Sequence, residues 1–531
     1  MSETSSPSQE KRAIAGRASI VAGGTLASRV LGLVREQALA ASFAASVTDA
    51  FFVAFLIPNT LRQLLAEGAV QNGVLPVLSK VREEEGEDRA RQFFRALRGL
   101  SLLISLAVIA LGIACAPFLV EVFAGGYQKI PRQFERTVTL TRWVFPYILF
   151  MATAALGLAA LNTYRRFVVS SYAPALLNVA FIGCVLGLTP WLTSRGIDPI
   201  YSLVAGVLLG GVLQALAQWP SLRSIGYHQP PSFRFTDPAV REVLKRMSPV
   251  LFGFGIYYLD VIVGRHLLSH EGVGAQSYFG FALRLCDFPQ GIFVMAIQSA
   301  TLPSLASLAA RNAASELRET FVLGLRLALF VGIPASALLM VLSEPLVVLL
   351  FQRGHFTAES ATETAKALLA QGAGVWLVAA IRQLVIVFYA LGDTRSPVIV
   401  SAIDFVVFVG TALVLRTTLG HVGISWAVSA ASLVQLLLLA MFLRRKFNEP
   451  ILAKREWLGI AKLFVTAAIA AGATLSLRAA SAQLGLSNAT LGVVGTLWFL
   501  AVYLVVAWFA RCQEFRMLTE PLLRRLHRRS R

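Results

Sequence analysis

Apolar residues in this chain come in long unbroken runs rather than in the short periodic patterns of a soluble domain. Crossing about 30 Å of hydrocarbon at 1.5 Å per residue takes roughly 20 apolar residues, and runs of that length recur along nearly the whole sequence. They predict about fourteen transmembrane helices, at 18–43, 50–78, 97–123, 138–161, 171–190, 199–219, 249–269, 275–305, 321–350, 367–391, 397–415, 421–443, 458–480 and 490–510. The fold class that follows is an all-α polytopic membrane protein.

The pattern also repeats. At an offset of 227, Gln71, Leu75, Pro76 and Leu78 fall on Gln298, Leu302, Pro303 and Leu305, and Arg91 and Phe94 fall on Arg318 and Phe321. With small drifts Pro117 meets Pro345, and Gln214, Leu222 and Arg223 meet Gln435, Leu443 and Arg444. The ordered series predicts two six-helix parallel repeats, one ending near residue 225 and the other spanning 226–446. Two additional helices follow within 447–510, flanked by a polar tail at 1–17 and a basic one at 511–531. An even number of helices per repeat keeps both copies in the same orientation, an arrangement that places substrates between the halves.

Composition sharpens this picture. The 531 residues are 56% hydrophobic and 15% charged, which leaves more apolar surface than a soluble core buries. The opening Met1 to Arg17 lacks the short apolar core and small-residue cleavage site of a removable signal peptide. The four cysteines show no paired spacing, which argues against disulfides and zinc. A net charge of +19 would suggest nucleic acid in a soluble protein. Here, with the N-terminus placed in the cytoplasm, 31 Lys and Arg fall on the cytoplasmic side and 8 opposite. The positive-inside rule then puts both termini in the cytoplasm, with the basic tail near anionic headgroups and no nucleic-acid role.

Nine basic residues remain inside the predicted spans, and Arg29, Arg62 and Arg284 lie about 14–18 Å from a helix end, near the midplane. A midplane arginine facing lipid costs at least about 2.5–3.5 kcal/mol, so these three are expected to face water or a ligand. Acids in the spans, Glu36, Glu67, Asp260, Asp287 and Asp404, offer static pairing as the bland explanation. Against it, Arg29 and Arg35 stand about 120° apart on an ideal helix, too far for one acid to neutralise both. Guanidinium forks suit pyrophosphate oxygens, so the sign of the charge favours an anionic cargo. Asp260 and Asp404, with Ser401 and Ser425, suggest a monovalent cation site for sodium or a proton in the second half; the competing reading pairs Asp260 with Arg265.

The residues around these arginines carry a family resemblance. Ser28-Arg29-Val30-Leu31-Gly32 with Arg35, Thr48-Asp49-Ala50-Phe51-Phe52, Pro58-Asn59, Arg62, Ala66-Glu67-Gly68-Ala69, Val74-Leu75-Pro76, Phe145-Pro146-Tyr147 and Leu391-Gly392-Asp393-Thr394 resemble the MurJ/MviN lipid II flippases over about 18–510. The resemblance implies a fourteen-helix fold of the multidrug/oligosaccharidyl-lipid/polysaccharide exporter superfamily, with a V-shaped cavity and a lipid groove formed by the last two helices. It implies a bacterial inner-membrane flippase of lipid II, a polyprenyl-pyrophosphate-linked cell-wall precursor, working beside the cell-wall synthesis machinery. The family's cavity arginines match Arg29, Arg35, Arg62 and Arg284, and its periplasm-side acid matches Asp49. Glu67 and Asp287 join Asp49 as candidate gating or cavity acids. Gln63 and Leu283 depart from the pattern, standing where a second arginine and an acid are common, and Asp287 is positioned at i+3 to replace that acid.

Two other functions fit parts of the sequence. A flippase for another polyprenyl-pyrophosphate-linked glycan, an O-antigen or exopolysaccharide unit, uses the same handle. A membrane glycosyltransferase would commonly need carboxylates or a metal on a sizeable extramembrane segment, and the chain has neither an Asp-x-Asp pair nor a loop much beyond 220–248. No Gly-Lys-Ser/Thr phosphate loop is present, so the expected protein is a secondary transporter without a cofactor.

Overall fold

The computed structural model describes residues 7–63, 70–253, 255–447, 450–481, 483 and 485–517. Every regular element among them is helical, as expected where lipid offers the backbone no hydrogen-bond partners. Two compact units divide the chain, Met1–Gln276 and Ser277–Arg531.

The first unit holds α1 (Pro7–Ser42), α2 (Ala45–Arg62), α3 (Val70–Glu85), α4 (Glu87–Ala114), α5 (Ala116–Ala124), α6 (Gln133–Val144), α7 (Tyr147–Thr163), α8 (Phe167–Gly183), α9 (Thr189–Ser194), α10 (Tyr201–Ser224), α11 (Pro238–Gly253) and α12 (Gly255–Ser269). The second is built from α13 (Ala275–Pro289), which starts at the boundary, α14 (Met295–Ala310), α15 (Ala314–Val341), α16 (Ser343–Phe351), α17 (Ala358–Gly372), α18 (Val375–Ala390), α19 (Arg395–Leu419), α20 (His421–Arg444), α21 (Lys454–Ala480) and α22 (Asn488–Phe509). Single π-helical turns at 184–188 and 290–294 link α8 to α9 and α13 to α14. These turns preserve two long spans that would otherwise break.

Some helix lengths recur between the two units. A 28-residue helix followed by a 9-residue helix occurs as α4–α5 and again as α15–α16, and the 24-residue α10 has its counterpart in the 24-residue α20. In each long–short pair a proline sits near the start of the short helix, Pro117 and Pro345, where its missing amide proton costs no helical bond.

Among the described residues ten helices are long and apolar enough to cross a membrane, or eleven if α17 and α18, bent by 40°, form one span. The predicted stretches 18–43, 50–78 and 249–269 are outside that set. Each includes residues whose backbone or side chain is not described, and each carries charge: Arg29, Arg35 and Glu36, then Arg62, then Asp260 and Arg265. The number fourteen is therefore not reached by this criterion.

Packing follows membrane rules. Outward faces keep large apolar residues exposed, such as Val414, Leu497 and Phe509, while small residues let helix axes approach. A Cβ on Gly24 of α1 would lie 2.4 Å from the carbonyl oxygen of Ser171 on α8, so only glycine permits that crossing. Aromatic and aliphatic side chains fill each unit's interior, Phe93, Phe94, Leu156 and Val243 in the first and Phe321, Phe388, Leu443 and Phe499 in the second.

Candidate functional site

The α1–α8 crossing held by Gly24 positions the first group of charges. Arg35 donates through Nη2 to Glu36 Oε1 at 2.6 Å and through Nη1 to Asn178 Oδ1 at 3.1 Å, and its guanidinium lies 5.8 Å from the ring centre of Phe181. Asn178 in turn donates to the carbonyl oxygen of Ser28 at 3.0 Å. Glu36 is 2% exposed. Arg35 is thus a clamped cation whose three partners fix its head, and the static pairing weighed from sequence is real at this position. Glu36 is the one acid among the described side chains of α1, against two arginines, so the helix retains a positive excess.

Arg29 lies six residues before Arg35 on α1 and is partly buried. At the end of α2, Arg62 donates through Nε to Asn59 Oδ1 at 2.9 Å and borders a cavity of about 90 Å³ with Leu97, Ser101, Ser105, Ile148 and Leu244. The next residue, Gln63, accepts a hydrogen bond from the Tyr258 hydroxyl at 3.3 Å. An arginine at 63 has no acceptor to offer Tyr258, so the family departure has a local partner on α12.

Asp49 is fully buried on α2 and accepts from the backbone N–H of Gly274 at 2.6 Å. Gly274 has φ +96 and immediately precedes α13, so the carboxylate sits at a helix start, where negative charge is favoured. Beside it, Arg265 donates to Gln276 Oε1 at 2.9 Å, and the Gln276 amide returns a bond to the Arg265 carbonyl at 2.6 Å.

Of the remaining candidates, Arg284 is exposed on α13 with Asp287 one turn later and partly buried. Both belong to the second unit, whereas Arg29, Arg35, Arg62 and Asp49 belong to the first. Glu67 lies outside the described residues. Asp260 sits on α12 in the first unit and Asp404 on α19 in the second, so these two acids do not share one compact unit. The Asp404 Oδ1 atom is buried with no hydrogen-bond partner among the described residues. Ser425 is engaged elsewhere, donating to the His421 carbonyl and accepting from Gln371, both at 3.2 Å. Among the described residues no group of three or more His, Cys, Asp or Glu could hold a metal ion.

Sequence reading missed Asn178 and Tyr258, and named Asn59 only as part of the Pro58-Asn59 motif without a role. Asn178 had a signal, a lone amide inside the apolar run Ala175–Phe181, which predicts an interhelical bond. The other two are polar side chains close to the arginines, and only folding reveals their direction.

Outside the spans, charges tie loops to helix ends. Arg89 grips both carboxylate oxygens of Asp237 at 2.8 Å, and that hydrogen bonding holds the Asp237 carboxyl below its ordinary range. Asp393 accepts from the backbone N–H groups of Arg395 and Ser396 and from Lys446 Nζ at 2.6 Å. Bonding to Lys446, and then to Ser396, lowers its carboxyl as well. The Gly392-Asp393-Thr394 motif is therefore a turn, with Gly392 at φ +72, that starts α19 and fastens it to the end of α20.

Comparison with known proteins gives a consistent result. A family model described as "Lipid II flippase MurJ" matches residues 39–495. A lipid II flippase MurJ of Burkholderia cenocepacia is 35% identical over 434 residues, covering 80% of this chain and 83% of the relative. A probable lipid II flippase MurJ of Bdellovibrio bacteriovorus is 31% identical over 518 residues, covering 96% and 98%. Among solved structures, a lipid II flippase MurJ in an inward closed conformation superposes with a TM-score of 0.76 at 21% identity, covering 92% of this chain and 98% of that one. Inward-facing and outward-facing structures of a multidrug resistance MATE family transporter reach 0.65 and 0.56, at 14% and 13% identity, over 80% and 81% of this chain and 96% and 95% of theirs.

Proposed function

The chain belongs to the MurJ family of lipid II flippases, and from that premise we propose that it carries lipid II from the cytoplasmic to the periplasmic leaflet by alternating access, gripping the pyrophosphate through arginines. It is a multi-pass membrane transporter rather than an enzyme, and its cargo is a lipid-linked precursor. The observation that carries the anionic grip is the positive excess of α1, two arginines against the single acid Glu36 among its described side chains. Arg29, Arg62 and Arg284 are the proposed pyrophosphate ligands, since bidentate guanidinium contacts suit phosphate oxygens. Arg35, clamped from three sides, positions α1 against α8. Alternating access is supported by the likeness to both inward- and outward-facing transporters of the same fold.

The proposed setting is the inner membrane, with both termini in the cytoplasm beside the cell-wall synthesis machinery. For energy coupling, the buried Asp404 carboxylate oxygen supports a role for a proton or sodium ion, with Asp260 as a second acid to be tested independently. Imposing each gradient on proteoliposomes of wild type, Asp404→Asn and Asp260→Asn tests this. Wild-type responses from both variants would remove the acids from coupling.

The functional test is a depletion strain. Loss of the chain should accumulate lipid II facing the cytoplasm, and re-expression should clear it. Normal lipid II turnover with loss of a surface glycan would instead assign the other polyprenyl-pyrophosphate cargo.

A further inference from the structure

The last turn of α12 and the residue after it carry two histidines four positions apart, His266 and His270. Their Nε2 atoms approach to 3.4 Å, with the ring planes inclined at 58°. His266 Nδ1 lies 3.0 Å from the carbonyl oxygen of Val122 on α5. A carbonyl only accepts, so in the neutral ring the proton belongs on Nδ1 and Nε2 bears a lone pair directed toward His270.

We propose that His266 and His270 form a chelate for a divalent transition metal of the zinc class. Two imidazole nitrogens about 2.0–2.1 Å from one tetrahedral ion stand roughly 3.4 Å apart, so the rings already hold the separation that an ion requires. An i, i+4 pair places both nitrogens on one helix face, as in helical zinc sites. The Val122 carbonyl supplies the outer hydrogen bond that fixes the tautomer of a ligating histidine. Nitrogen donors favour zinc, copper or nickel over the oxygen-seeking calcium and magnesium.

The two ligands differ in a useful way. His266 is held in place: a Cβ on Gly125 would lie 2.9 Å from its Cε1 atom. Ser269 next to it accepts from the Gly126 N–H at 3.0 Å and donates to the His266 carbonyl at 2.6 Å. His270 is exposed and leaves the ion an approach, with water completing its coordination. Because His266 is bonded to α5, a bound ion adds its binding free energy to the packing of α12 on α5. The site is an accessory to transport and does not involve Arg29, Arg62 or Arg284.

The test uses the untagged full chain in detergent, with Cu²⁺ as a spectroscopic probe and Zn²⁺ as competitor. Wild type should bind one Cu²⁺ at micromolar concentration with the electron spin resonance coupling of two imidazole nitrogens, and Zn²⁺ should displace it. His270→Ala should lose one nitrogen coupling and bind at least tenfold more weakly, while melting at the wild-type temperature without metal. An unchanged two-nitrogen signal in His270→Ala, or no binding by wild type, overturns the proposal.

Discussion

The two units build a similar clasp from different residues. In the first, Arg95 and Arg98 near the start of α4 donate to the carbonyl oxygens of Pro230 and Gln229, at 3.0 and 2.8 Å, in the chain that follows α10. In the second, Arg318 near the start of α15 donates to the carbonyls of Pro450 and Ile451, both at 3.0 Å, in the chain that follows α20. The turn before α8 is tied to the end of α10 by Arg166 and Ser224, whereas the turn before α19 is tied to the end of α20 by Asp393 and Lys446. Comparable helix ends are thus fastened in both units by different side chains. The spans differ more deeply. The three predicted spans outside the apolar set all begin in the first unit and carry Arg29, Arg35, Arg62, Asp260 and Arg265, whereas the spans of the second unit that carry Arg284, Arg326, Arg382 and Lys462 are apolar enough to belong to it. Such charge is costly in lipid, so both units must shelter it within protein, water or a ligand.

The largest effect expected from removing span charges is functional. The triple variant Arg29→Ala, Arg62→Ala, Arg284→Ala should abolish complementation of a depletion strain while its membrane level stays near wild type. Single Arg→Lys changes should rescue poorly, because an ammonium lacks the planar fork. Growth at the wild-type rate from the triple variant would count against the grip.

Arg35 should behave differently from its neighbours. Arg35→Ala removes the guanidinium 2.6 Å from the buried Glu36, a loss of up to about 3 kcal/mol, and should appear as reduced folded protein in a thermal melt. Adding Glu36→Ala should recover part of that loss. Equal melting of Arg35→Ala and wild type would return Arg35 to the list of cargo ligands.

Much of this was legible in the sequence, and the residues show why. Helix positions followed from apolar runs, and the similar places of Pro117 in α5 and Pro345 in α16 from their match in sequence, because both are one-dimensional signals. Depth along a helix singled out Arg29 and Arg62. What a side chain faces was not legible: Arg35 joins its own neighbour Glu36 and the α8 residue Asn178, and neither helical spacing nor composition selects those partners. The placement of Asp260 with the first unit likewise depends on packing of α12 against α5, which a repeat boundary at 226 does not reveal.

Smaller effects probe the clasps. Arg89→Ala should cost about 1 kcal/mol, since the pair with Asp237 is bidentate but Arg89 is 29% exposed. The folded Asp237 carboxyl is held low, so its contribution is complete above the ordinary carboxylate pKa of about 3.9 and is lost as pH falls through the lowered value. Melting curves of wild type and Asp237→Asn should therefore converge on acidification below about pH 4. A gap that is constant with pH would contradict the ion pair. Smallest of all, Arg318→Ala removes hydrogen bonds to two carbonyls at a partly exposed site and should cost roughly 0.5–1 kcal/mol, with flipping unchanged.

The most direct test of the central claim is the movement of lipid II across proteoliposome bilayers by purified protein. Wild type should expose lipid II from the inner leaflet over time, and the Arg29→Ala, Arg62→Ala double variant, reconstituted in equal amount and folded, should not exceed protein-free vesicles. Equal rates for the double variant and wild type, or no movement by wild type in any imposed gradient, would contradict it.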